Sequence, residues 1–176
     1  HQFYGEDEAH KYATSSRMRD IQRTMSERAL ELLALPDGKR ALLLDIGCGS
    51  GLSGEVLSDA GHDWIGVDIS PAMLNVAKDQ EADGDVVLLD IGHGMPFRES
   101  TFDGAISVSA VQWLCNSNTR EQVPYKRLLT LFQTLYATLR RGSRYASNHW
   151  LICMASHAIS HILIIIVRQC RVPVLS

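Results

Sequence analysis

Residues 42–54 read L-L-L-D-I-G-C-G-S-G-L-S-G. An apolar run that ends in an acid and then breaks into glycines at 47, 49 and 51 leaves few folds open. Short, continuously apolar strands are what a parallel sheet buries on both faces. Glycines directly after such a strand supply bare backbone that a small ligand can approach closely. The 176 residues suffice for one ordinary domain with its own core.

The rest of the chain agrees with that start. Met18, Ile21, Met25, Ala29 and Leu32/Leu33 recur three and four apart, which predicts an amphipathic helix over 15–34 with Arg19, Arg23 and Glu27 outside. Pro36-Asp37-Gly38 stops it. A strand over 41–46 and a helix over 52–60 follow, then a strand over 63–69. Ser70-Pro71 opens a helix to about Ala82. Strands are expected over 85–90 and 103–109. A longer helix is expected over roughly 120–140, with Leu128, Leu131, Phe132, Leu135 and Leu139 on one face. Strands alternating with helices predict an α/β fold with a mostly parallel sheet.

After Gly142-Ser143-Arg144 the character changes. Residues 145–176 hold little acid or turn punctuation and include L-I-C-M-A-S-H-A-I-S-H-I-L-I-I-I-V. A membrane span needs ~20 apolar residues. This stretch is shorter and carries His157, Ser160 and His161. It reads as a buried strand or helix, or as a tail foreign to the fold, and no membrane partner is expected. The net charge of −3 announces no nucleic acid globally. Cys48, Cys115, Cys153 and Cys170 form no C-x-x-C pair and no zinc spacing, so free thiols in a reducing compartment are expected. Residues 1–28 are too polar for a secretory signal, and the chain opens on His1, as a fragment or processed product would.

The glycine loop selects among ligands. A phosphate loop requires a lysine after its last glycine, and none follows Gly51. The dinucleotide fingerprint is G-x-G-x-x-G, whereas here Leu52 occupies the third glycine's place. G-x-G-x-G, with an acid two residues before, suits an adenosine bearing an amino-acid tail, as in S-adenosylmethionine. Asp45 then holds the loop or the ligand's ammonium group. Asp68, about 20 residues on, stands where a carboxylate grips a ribose diol. Asp90 ends the third strand, where it can accept from an adenine amino group. Each acid also has a plainer reading as a helix cap or turn residue. Cys48 reads as a small loop residue, and His62 and His93 as loop or surface residues.

L-L-D-I-G-C-G-S-G with G-V-D-I-S-P-A-M-L resembles class I S-adenosylmethionine-dependent methyltransferases. The finer resemblance is to the eukaryotic enzymes that make 7-methylguanosine in small-subunit (18S) ribosomal RNA. F-Y-G-E-D-E-A-H-K-Y, S-S-R-M-R-D-I-Q, F-D-G-A-I-S-V-S-A-V-Q-W-L-C-N and R-R-G-S-R carry it, over roughly residues 2–144. The implied fold is a Rossmann-like sheet with helices on both faces. Asp45, Gly47, Cys48, Gly49, Gly51, Asp68, Ile69, Asp90, Ile91 and Ser107 are the implied cofactor residues. Ser109, Gln112 and Trp113 are the implied substrate residues, with Trp113 a stacking surface or a core tryptophan. Tyr12 and Arg17 are expected to close over the cofactor. No metal and no general base is expected, because guanine N7 needs no deprotonation.

The resemblance stops at residue 144, so residues 1–144 are expected to form the methyltransferase domain and 145–176 a divergent tail. The fold is then C-terminally incomplete. The third strand, V-V-L-L over Val86, Val87, Leu88 and Leu89, is apolar for a sheet edge. The family implies a small zinc-binding activator protein there. It further implies ribosomal RNA and pre-ribosomal particles as partners, and a place in nucleus and cytoplasm. A non-catalytic assembly scaffold, a methyltransferase for a small molecule or protein, and an oxidoreductase are the competing readings.

Overall fold

A computed structural model describes residues 16–115, 123–147 and 163–166. Helix α1 (Ser16–Leu33) leads into strand β1 (Leu42–Ile46), helix α2 (Leu52–Asp59), strand β2 (Asp63–Asp68), helix α3 (Pro71–Asp79) and strand β3 (Asp85–Leu88). A 3-10 turn over Ile91–His93 precedes strand β4 (Phe102–Ser107), and another covers Val111–Cys115. Helix α4 (Pro124–Thr138) runs straight into strand β5 (Leu139–Ser147), and strand β6 (Leu163–Ile166) completes the order.

One six-stranded sheet joins them in the order β3-β2-β1-β4-β5-β6. The first five strands run parallel, and β6 pairs antiparallel with β5. Alternation along the strands divides the core. Leu44 and Ile46 face a cluster with Phe102, Leu131, Leu135 and Tyr145 on the α4 side. Leu43 faces one with Ala29, Leu33, Leu57 and Trp64 on the side of α1 and α2. Helices therefore cover both faces, which buries β1 on both.

Several expected boundaries moved. The helix opened by Ser70 ends at Asp79 rather than Ala82, because Glu81 takes a left-handed turn (φ 53°). Its start is as expected, with the Ser70 hydroxyl accepting from the Met73 N–H. Leu139, expected on a helix face, opens β5 instead. Its backbone is extended, and its N–H closes the helix on the Leu135 carbonyl. Either a helical or an extended leucine can fill that place in the core, so spacing alone did not separate them. β5 crosses residue 144 without interruption, and Arg144 to Ser147 pair with β6. Ile21, expected inside α1, is exposed, and Ser26, Ala29 and Leu33 are the buried stripe. No helix among the described residues is long and apolar enough to cross a membrane.

Candidate functional site

The chain lays β1, β2 and β3 outward in one direction, then returns to place β4 against the other side of β1. Strand order reverses there, and ligands of open α/β sheets bind at the carboxyl ends beside such a switch point. The glycine loop leaves β1 at this place. The N–H groups of Gly47 and Cys48 both donate to the Val67 carbonyl, at 2.7 and 3.1 Å, which ties the loop to β2. Gly47 has φ 77°, and a Cβ there would lie 2.0 Å from the Ala110 Cβ. The residues after β1 and β4 thus touch with no room for a methyl group. Gly51 (φ 89°) opens α2 without a side-chain cap.

Asp45 is fully buried. Ser53, in the first turn of α2, donates to its Oδ2 at 2.5 Å, while the Asp45 Oδ1 is buried with no partner. Burial pushes its carboxyl up to about 7, the Ser53 hydrogen bond opposes this, and the Asp68 charge adds to it. An orphaned acceptor beneath a bare glycine loop fits a ligand that brings a donor or a positive charge. Asp68 holds the loop from the next strand. Its Oδ2 accepts from Gly49 N–H at 2.9 Å and its Oδ1 from Ser70 N–H at 2.8 Å. The carboxylate keeps acceptor capacity for a diol. Burial raises the Asp68 pKa despite these N–H groups. The structure therefore gives Asp68 a turn and loop-holding role, with Ser70 as the cap of α3, and leaves it capacity for a ligand.

Asp90, just past β3, accepts at Oδ1 from Gly92 N–H (2.9 Å) and from Arg127 Nη2 (2.6 Å). Ile69 is exposed beside Asp68, and Ile91 is half-buried. Ser107 is fully buried and donates to the Ile46 carbonyl, so its hydroxyl ties β4 to β1. Cys48 is a buried free thiol, held up in pKa by burial first and then by the Asp45 and Asp68 charges. Gly66 leaves it space: a Cβ there would meet its Sγ at 2.6 Å. On the β4 side, Ser109 takes a left-handed φ of 60°, and its carbonyl accepts from Gln112 Nε2 at 2.8 Å. Trp113 is 58% exposed and so is no core tryptophan. Arg17 is exposed on α1, and Tyr12 lies outside the described residues. Spacing found the three acids but missed Ser53 and Arg127, whose roles depend on which elements meet. No group of metal-ligating side chains occurs among the described residues.

A family model described as a methyltransferase domain matches residues 44–146. The chain belongs to this methyltransferase domain family. The match runs from within β1 to all but the last residue of β5, the part of the fold that carries the loop and all three acids. Among curated proteins, the domain is 58% identical over 142 residues to the 18S rRNA (guanine-N(7))-methyltransferase of Mus musculus, covering 81% of this chain and 50% of that one. The chain spans about half the length of the curated relatives it matches. A TehB-like SAM-dependent methyltransferase from Corynebacterium glutamicum shares the fold at 22% identity, with a TM-score of 0.60 over 81% of this chain and 73% of that one. So does a chain in a complex of the Haloferax volcanii Trm112 methyltransferase activator with a methyltransferase. That likeness has a TM-score of 0.56 at 21% identity, over 80% of this chain and 59% of the other.

Proposed function

We propose that this methyltransferase domain binds S-adenosylmethionine and makes 7-methylguanosine in small-subunit ribosomal RNA. The observation that carries the reading is the 58% identity over 142 residues to the enzyme named for that reaction. The site suits it. Asp45 Oδ1 has a free acceptor for an ammonium group, Asp68 for ribose hydroxyls, and Asp90 for the adenine amine. S-adenosylmethionine supplies a methyl group already activated on a sulfonium. Guanine N7 offers an in-plane lone pair, so transfer needs no proton removed. The work left to the chain is to hold, orient and dry the reacting groups, and orientation is worth roughly 7–11 kcal/mol of barrier. Ser109, Gln112 and Trp113 line the β4 side, where the exposed indole offers a face for a purine.

The same reading extends to partners. β3 stands at the sheet edge, with Val87 and Leu88 exposed. An apolar edge strand recruits another strand. We place a zinc-binding activator there, pre-ribosomal particles as the setting, and nucleus and cytoplasm as the compartments. In this reading the catalytic domain extends past the expected boundary at residue 144, since β5 runs to Ser147 and the family match to residue 146.

Calorimetric titration with S-adenosylmethionine, alone and with Asp68→Ala, tests the cofactor. Binding abolished by the substitution supports the site, and a folded chain that binds nothing refutes it. Transfer of labelled methyl to 18S RNA, mapped to guanine N7, tests the substrate. Label appearing only in small acceptors or protein would overturn it. Leu88→Glu is expected to abolish pull-down of the activator, and unchanged recovery would remove β3 as its seat.

A further inference from the structure

We propose that Arg127 is a positioning residue that decides which oxygen of Asp90 meets the adenine, and so sets selectivity for the 6-amino group. The inference rests on the S-adenosylmethionine reading above. Arg127 reaches from α4 to the loop after β3, and its Nη2 donates to Asp90 Oδ1 at 2.6 Å. The same oxygen accepts the Gly92 N–H. Oδ1 is therefore pinned twice. Oδ2 accepts no hydrogen bond from the described residues, and the exposed His93 ring stands 3.7 Å from it.

The guanidinium is seated by the backbone. A Cβ on Gly92 would lie 2.4 Å from Arg127 Nε and 2.5 Å from Nη2, so any larger residue displaces it. Arg127 Nε is buried without a partner, and the side chain is only 15% exposed. Such a placement costs desolvation that a surface ion pair avoids. It holds the carboxylate in one rotation and presents Oδ2 alone as an acceptor. A 6-amino group donates to Oδ2. A 6-oxo group sets acceptor against acceptor. Without the guanidinium only the Gly92 N–H holds Oδ1, so the carboxylate turns more easily and its preference weakens.

The test is calorimetry on the whole 176-residue chain with S-adenosylhomocysteine and S-inosylhomocysteine, which differ at the 6-position. The wild type is expected to favour the amino ligand by about tenfold or more. Arg127→Met and Gly92→Ala, each folded by circular dichroism, are expected to lower that ratio several-fold. Adding Arg127→Met to Asp90→Ala should change nothing further. Gly92→Ala keeps the test open if Arg127→Met does not fold. Retention of the wild-type ratio in the folded variants overturns the role of Arg127, with the cofactor site intact. Failure of the folded wild type to bind S-adenosylhomocysteine overturns the cofactor reading, and this inference with it.

Discussion

Asp45 combines a strong hydrogen bond to Ser53 on one oxygen with an unpartnered second oxygen, in full burial. Its folded pKa of about 7 lies above the ordinary value of 3.8. The folded protein thus holds this proton to higher pH than the unfolded chain. Its contribution to stability is complete below about pH 4 and is lost as pH rises to about 7. The melting temperature of the wild type should therefore fall between pH 5 and 7.5 relative to Asp45→Asn, which should lack this component. A cationic ligand draws the carboxyl toward its charged form. Binding of S-adenosylhomocysteine should release a proton near pH 7 and tighten as pH rises through it. Heats measured in two buffers of different ionisation enthalpy would detect the release, and identical heats would rule it out.

Gly47 makes a second case at this scale. Alanine there meets both a left-handed backbone and the Ala110 methyl. The backbone alone costs about 1–2 kcal/mol. Gly47→Ala should lower stability by at least that in urea titration, and should abolish cofactor binding in the fraction that folds. The loop and its acids were legible because glycine spacing and strand-end acids are local signals. The pairing Arg127–Asp90 was not, since it joins residues 37 apart in the chain, and Ser53–Asp45 was not, since it depends on how the glycine loop turns α2 back onto β1.

Among the elements, β1, β2 and β4 were readable because their side chains are apolar on both faces. β5 was not, since L-R-R-G-S-R-Y-A-S carries three arginines and a glycine. Its pairing explains why. Phe102 opposes Leu139, but Gly104 opposes Arg144, so a bulge absorbs the basic residues. Arg140 pairs with Asp103 there, and the Ser143 hydroxyl donates to the Phe102 carbonyl. β2 shows tight packing of another kind. Trp64 is buried, its Nε1 donates to Ser58 Oγ at 2.9 Å, and Gly54 and Gly84 abut its indole. A Cβ at Gly84 would lie 2.2 Å from Trp64 Cε2. Overpacking of this type costs about 1–3 kcal/mol. Gly84→Ala should lower the urea midpoint accordingly and shift the tryptophan emission. No change in either would show that the indole has room to move.

At the scale of the molecule, the sheet has two different edges. β3 is left open with Leu88 58% exposed, whereas the far side of β5 is taken by β6. Four residue pairs, from Arg144↔Ile166 to Ser147↔Leu163, make that second seam. A chain ending at Ser147 should lose them, melt several degrees lower and self-associate through β5, as light scattering would reveal. A truncated chain of equal stability and solubility would mean that β6 contributes little. The alternation of strands and helices made the two-faced sheet legible from sequence. The continuation of β5 past residue 144 was hidden by the change of composition at that point.

The contact between Gly47 and Ala110 also bears on how such a chain can vary over generations. A Cβ at position 47 would lie 2.0 Å from the Ala110 Cβ, so position 47 cannot gain a side chain while position 110 carries one. Drift toward a different acceptor molecule must leave that glycine in place and pass through the residues after β4. Relatives that have diverged in substrate should therefore keep the glycine and scatter their differences just beyond β4.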